Sequence, residues 1–207
     1  MSTTAMMLVR QLNQADAPAM LAHLLRLDET DRVQRFARPA SDDSIRDYVR
    51  RLDFERDAHY GVWQGREDQP SLIGLTHLAL DGQGKTAEIG VSVDAGQRRQ
   101  GLAGRMLGRA ILHARNLGVV EVVMYFLPYN TELMELARNQ GMRLSVGEGQ
   151  GIARLLPHPA SPVSLASEIM ETWADAAGQG VRDWSEGTLA ASSVVCGRLS
   201  DLANSPD

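Results

Sequence analysis

Between Thr86 and Leu107 a two-residue period gives way to a helical one across a short turn. Thr86-Ala-Glu-Ile-Gly-Val-Ser-Val93 alternates as a strand, and Gln97-Arg-Arg-Gln-Gly-Leu-Ala-Gly-Arg-Met-Leu107 opens a helix. A chain that enters a helix in this way leaves the first N–H groups of the helix without intrahelical partners. Those groups converge with the positive end of the helix dipole, so an anionic pyrophosphate is the ligand such a turn accommodates best. Gly101 and Ala103 keep side chains away from an approaching phosphate, while Arg98 and Arg99 add positive charge. A dinucleotide-binding fingerprint needs a different glycine spacing, and a P-loop needs a Gly-Lys-Ser/Thr ending; neither is present.

The elements around this turn follow from the same periodicities. Met6–Leu12 is a predicted strand, and Asp16 is the predicted N-cap of a helix with Pro18 in its first turn. Arg32–Pro39 reads as a basic connector, after which Ser41 or Asp42 caps a second helix with Ile45, Tyr48, Val49 and Leu52 on one face. His59–Gln64, Leu72–Leu80 and Thr86–Val93 form a predicted antiparallel meander, the last two strands joined by the turn Asp81–Gly84. Gly101–Asn116 is an amphipathic helix stopped by Gly118, Val119–Phe126 a short apolar strand, and Thr131–Gln140 a helix stopped by Gly141. Met142–Val146 and Ile152–Leu156 close as a hairpin. The order predicts an α/β (α+β) fold in which helices flank a mixed, mostly antiparallel sheet.

At 207 residues the length suits one main domain, residues 1–156. Pro157, Pro159 and Pro162 then open a stiff linker into a C-terminal appendage, residues 157–207, with a predicted helix over Ser164–Ala177. Leu165, Ile169 and Trp173 form a stripe on that helix, and Trp184 lies beyond it. An apolar stripe needs cover, so the appendage is expected to dock on the domain or on a second subunit of a homodimer.

A net charge of −5 gives no reason to expect a nucleic acid or an anionic membrane as the main partner. No window approaches the roughly 18 apolar residues of a membrane span. The one cysteine, Cys196, excludes an intrachain disulfide and a Cys-rich metal site, which fits a reducing compartment and leads to the expectation of a cytoplasmic protein. No metal-ligand spacing appears, and His23, His77 and His113 read as packed or surface histidines.

The turn resembles that of the GNAT N-acetyltransferase superfamily, whose Arg/Gln-x-x-Gly-x-Gly/Ala pattern matches Arg98, Gly101 and Ala103. Asn130 followed by Met134, and then Gly141-Met142, is similar to the family's Asn-x-x-x-Met and Gly-Phe features, and the element order agrees from about Met6 to Leu156. The resemblance implies acetyl-CoA as acyl-donor cosubstrate, lying in a V-shaped opening between the strands 86–93 and 119–126. It implies backbone contacts to the acyl and pantetheine arm from Ile89, Val91 and Val93. Arg98, Arg99, Gln100, Gly101, Leu102, Ala103 and Gly104 would cradle the pyrophosphate, and Asn130 would bond the lower pantetheine. The implied activity is direct transfer of an acetyl group to a primary amine, on a small molecule or a protein lysine. The alternative is a non-catalytic acyl-CoA-binding regulatory module.

Attack on a thioester needs a neutral amine, and an amine with pKa near 10 is almost wholly protonated at neutral pH, so a base or a water relay is required. Glu88 is the candidate: Ala87-Glu88-Ile89 is similar to the strand on which histone-type members carry their base, and burial there is expected to tune it. The family's tyrosine acid, four residues before the final Gly-Phe, corresponds to Ala137 here. Tyr125 and Tyr129 read as core or rim aromatics, and Cys196 is not expected to be a nucleophile. Arg32, Arg35 and Arg38 would lie near the acceptor opening.

Overall fold

The alternating runs pair into one seven-stranded sheet in the computed structural model, which describes residues 8–65, 69–147 and 149–173. The strands are β1 (Val9–Leu12), β2 (Ala58–Gln64), β3 (Ser71–Leu80), β4 (Thr86–Val93), β5 (Glu121–Phe126), β6 (Arg143–Val146) and β7 (Gly151–Leu155), in the order β1-β2-β3-β4-β5-β7-β6. Only β4 and β5 pair in parallel, as the helical crossover between them requires; every other neighbour is antiparallel. The expected β2-β3-β4 meander is present. Its second turn is set by the Asp81 carboxylate, which accepts from the N–H groups of Gln83 and Lys85.

Five helices cover the two faces. On one, α1 (Ala17–Arg26) and α3 (Asp42–Arg50) bury Met20, Leu24, Ile45 and Val49 against Leu12, Leu72 and Leu75. On the other, α4 (Leu102–Asn116) and α5 (Thr131–Asn139) bury Leu107, Ala110 and Ala137 against Leu78, Ile89, Met124 and Phe126. Burial of these side chains at ~25 cal/mol per Å² is what fixes each helix to its face.

The fifth, α2 (Glu29–Phe36), stands where the sequence reading placed a basic connector. Asp28 starts it by accepting from the Asp31 N–H at 2.8 Å, Glu29 and Asp31 lie in its first turn, and Ala37, at φ 55°, ends it before Pro39. With so few apolar residues along α2, Phe36 among them packing on the core, its period is hidden among charges. Asp16 takes the expected N-cap position of α1, with Pro18 in the first turn, but makes no side-chain cap bond there. Its carboxylate turns back to accept from the Asn13 N–H and to pair with Arg10, while Asn13 caps the intervening 3-10 turn. Met6 and Met7, assigned to the first strand, lie outside the described residues.

Residues 162–173 form a further helix, α6. It lies against α4, but through its polar side. Glu168 pairs with His113 and accepts from Asn116 Nδ2 at 2.6 Å, Ser164 Oγ donates to Asn116 Oδ1 at 2.7 Å, and Glu171 pairs with Arg109 at 2.8 Å. Arg115 holds the preceding segment through the Pro159 carbonyl. The domain does not cover the apolar stripe: Leu165, Ile169 and Trp173 are 45, 54 and 71% exposed in the single chain. Ser164, Glu168 and Glu171, at i, i+4 and i+7, find hydrogen-bonding partners on α4, which turns the apolar side outward. Ala174–Ala177, Trp184 and Cys196 lie outside the described residues.

Removing Glu168 strips His113 and Asn116 of a partly buried partner. Glu168→Ala is therefore expected to cost about 1–2 kcal/mol and to lower the melting temperature by roughly 2–8 °C. Trp173→Ser should shift it by less than about 2 °C. Scanning calorimetry on the two variants decides it; the reverse ranking would mean that the apolar stripe, and not the polar seam, holds α6.

Candidate active site

After β4 the chain makes a 3-10 turn (Ala95–Gln97) and then reverses through two left-handed residues, Arg99 (φ 62°) and Gly101 (φ 73°), into α4. Asp28, Ser41 and Asn130 cap α2, α3 and α5 with their side chains, whereas Gly101 at the N-cap of α4 has none to offer. A Cβ at Gly101 would meet no atom within 4 Å. The unpartnered N–H groups of the first turn therefore face open space. That space is a pocket of about 600 Å³, walled by the turn, the end of β4 (Val91 to Val93), α2 and α5.

The turn's side chains divide the work. Arg98 is tied down: its Nη2 pairs with Asp31 of α2 at 2.5 Å and its Nε donates to the Val93 carbonyl at 3.3 Å. The hydrogen bond to Asp31 raises its pKa, so it is a permanent cation with a fixed counter-ion. Arg99 is exposed and has its nearest acidic partner, Glu132, 3.9 Å away. Gln100 bonds Gln97 and lies off the pocket wall; Leu102 points into the core beside Val93 and Met106. Ala103 and Gly104 line the pocket, and the Gly104 carbonyl accepts from Gln140, latching α5 to α4. Asn130 lines it too, with its side-chain oxygen accepting from the Leu133 N–H at 3.0 Å.

The β4–β5 pairing covers Thr86↔Glu121, Ala87↔Val122 and Glu88↔Val123 and then stops. From Ile89 to Val93 the edge of β4 that faces β5 has no strand partner among the described residues. Ile89 and Val93 point into the core on the α4 side, so backbone is what this stretch presents to the split. Glu88 is the last residue of β4 paired with β5, and it lies on the opposite face. It is exposed, against the expectation of burial, and lies outside the pocket wall. Ala137 is fully buried in α5, and Tyr125 and Tyr129 are exposed. Among the described residues no group of three or more His, Cys, Asp or Glu could hold a metal ion, and no helix is long and apolar enough to cross a membrane.

The family model Acetyltransferase (GNAT) domain matches residues 7–143. The chain belongs to the GNAT acetyltransferase family. Its fold matches the GNAT domain of S. lividans PAT with a TM-score of 0.60 at 17% identity, covering 72% of this chain and 89% of that one. The putative acetyltransferase yncA from Salmonella typhimurium, solved with its cofactor acetyl-CoA, matches with a TM-score of 0.56 at 18% identity over 76% and 97%. Spermidine N-acetyltransferase from Vibrio cholerae, in complex with CoA and spermine, matches with 0.55 at 18% over 72% and 94%. Identities this low carry the fold alone. Among curated proteins none matches.

The face of this GNAT domain's β4 that looks away from α4 holds groups the sequence reading left unconnected. Ser92 Oγ meets His23 Nε2 at 2.9 Å, and the other nitrogen of His23 lies 2.9 Å from Asp94. Opposite Gly90 in the register stands His77, whose Nε2 lies 3.1 Å from Asp57 and whose Nδ1 lies 2.7 Å from the Tyr48 hydroxyl. Burial alone would raise the Asp57 pKa, but hydrogen bonds from Arg56, the Leu80 N–H and His77 outweigh it and hold the carboxylate ionised. Nε2–H of His77 therefore donates to Asp57 and Nδ1 accepts from Tyr48. His59 stacks on His77 with ring centroids 4.5 Å apart. These contacts join α1, α3, β2, β3 and β4, so no local spacing announces them.

Burial, reinforced by neighbouring positive charge, lowers His59 to about 3 and His77 to about 4. Both are neutral in the native state at pH 7, whereas in the unfolded chain each takes up a proton near pH 6.5. The unfolded state thus binds more protons below about pH 6.5, and stability falls from there down to about pH 4 for His77 and about pH 3 for His59. His59→Phe should flatten the fall in melting temperature between pH 6.5 and 4.5; an unchanged slope would show that another group drives it.

Proposed function

We propose that this GNAT domain moves an acetyl group from acetyl-CoA directly to a primary amine at the head of the β4–β5 split. The observation that carries this reading is the α4 N-terminus, which has no side-chain cap and opens on the pocket directly beside the unpaired edge of β4. Such a site asks for a ligand with a diphosphate at one end and spaced amides along its length. CoA has both, and the structures of yncA with acetyl-CoA and of the Vibrio cholerae enzyme with CoA support it.

When bound, acetyl-CoA supplies the activated acyl group as a thioester. The backbone of Gly101, Leu102, Ala103 and Gly104 would hold the diphosphate, joined by Arg99. Arg98, already paired with Asp31, props the turn against α2. Ile89, Val91 and Val93 would offer main-chain groups to the pantetheine amides, and Asn130, which lines the same pocket, would bond the lower end of that arm. Glu88, exposed where the strands part, takes the proton from the ammonium of the acceptor so that its lone pair becomes available.

Two variants test the assignment. Saturating acetyl-CoA, at ~100 times its Kd, should raise the wild-type melting temperature by roughly 5–10 °C, and Gly101→Glu should abolish the shift by placing a carboxylate in the diphosphate site. Glu88→Gln should leave the shift intact while lowering CoA release by about 100-fold or more. A retained shift in folded Gly101→Glu would move the site elsewhere. Unaltered turnover in Glu88→Gln would remove Glu88 as the base, and binding without turnover on any amine would leave a cofactor-binding module.

A further inference from the structure

On the α2 side of β4, Arg35 lacks among the described residues the counter-ion that several other arginines have. Arg10, Arg26, Arg32 and Arg98 each pair with an aspartate at 2.5–3.0 Å. No carboxylate among the described residues pairs with Arg35. Of its five donors one reaches an internal acceptor, Nη2 to the Tyr48 hydroxyl at 3.0 Å, and its Nε is buried without a partner. The guanidinium is nevertheless held in place. Its carbon lies 5.1 Å from the Phe36 ring centroid and 5.6 Å from that of Tyr48, and Tyr48 is anchored through His77 to Asp57. Beneath it is Gly90: a Cβ there would sit 2.4 to 2.7 Å from the guanidinium atoms, so glycine is what lets Arg35 lie on the strand. Arg35 lines the pocket.

We propose that Arg35 is the receptor for a carboxylate on the acceptor, so that the amine substrate is an amino acid or a similar small zwitterion. The inference rests on the acetyl-transfer reading above and names its substrate class. Glu88 and Gly90 share a face of β4 and are ~7 Å apart along the strand. One face of the strand thus offers an exposed anion for the ammonium and a fixed cation for the carboxylate of a single amino acid. A planar guanidinium suits a planar carboxylate through paired N–H bonds. A dianionic phosphate on the acceptor suits the place less well, because Glu88 stands on the same face. The diphosphate of the cofactor belongs to the α4 turn, which begins beyond the far end of β4.

Matched amines decide it: L-lysine against cadaverine, L-methionine against 3-(methylthio)propylamine, and L-phenylalanine against phenethylamine, each read by CoA release and by titration calorimetry in the presence of CoA. The carboxylate-bearing member of at least one pair should have a kcat/KM about tenfold or more above its partner, carried by KM. Arg35→Met should reduce that preference to within about threefold, and Arg35→Lys should keep part of it, while the acetyl-CoA melting shift persists. Arg35→Lys carries the test if Arg35→Met does not fold. Equal use of both members of every pair overturns the proposal, as does a preference that survives in both variants, or a loss of acetyl-CoA binding in Arg35→Lys. If no amine of the panel is acetylated or bound although acetyl-CoA still shifts the melting temperature, the substrate class is wrong. The acetyl-CoA site stands or falls separately, on Gly101→Glu.

Discussion

The site depends on a parallel strand pair that is cut short. β4 and β5 share three residues of register and then part, and each can do so because its other edge is fully engaged: β4 pairs with β3 from Ala87 to Val93, and β5 with β7 from Val122 to Phe126. The outer ladders hold the two strands on diverging courses. Close packing fixes the β5 side further, since a Cβ at Gly151 would fall within 2.2 to 2.7 Å of the Phe126 ring. Peptide groups on the inner edges need hydrogen-bonding partners all the same, from water or from a ligand.

α2 links the two sides of the split. Asp31 in its first turn grips Arg98 of the β4–α4 turn, and Arg35 in its last turn lies on Gly90 of β4. One eight-residue helix thus sets both the turn and the cation beside the split. The Arg98–Asp31 contact is short and partly shielded, and the hydrogen bond between them raises the Arg98 pKa. Its value is positional: a guanidinium with a fixed counter-ion adds little net field, so attraction for an anionic ligand falls to the helix N-terminus and to exposed Arg99.

What was legible in the sequence was whatever a local pattern encodes. The strand-to-helix passage at 86–107, the meander and the glycine stops at Gly118 and Gly141, both with φ 77°, are written in residues close to one another. α2 escaped because charged residues dominate it and Asp28 is an inconspicuous cap. The exposure of Glu88 escaped because a strand pattern says which residues share a face and not where a neighbouring strand departs. Arg35, Tyr48 and His77 come together through helix packing and the Gly90↔His77 register, and those are long-range facts. In the appendage the apolar stripe was read correctly as a pattern, but polar complementarity between Glu168 and the end of α4 decided which side faces the domain.

α4 joins these parts while keeping them apart. Its 15 residues span about 22 Å, with the N-terminus at the pocket and the C-terminal half against α6. The stretch between is locked, because Met106, Leu107, Ala110 and Ala114 are fully buried against the sheet. A close-packed core of this kind does not bend by degrees. Loosening α6 therefore exposes His113 and Asn116 without altering the direction of the first-turn N–H groups. Coupling between the appendage and the pocket would need α4 to shift as a rigid rod, and its Leu102 is wedged beside Val93 at the end of β4. The geometry makes α6 a support for the far end of the helix, with the β4–α4 turn governed by Asp31, Gly101 and the end of β4.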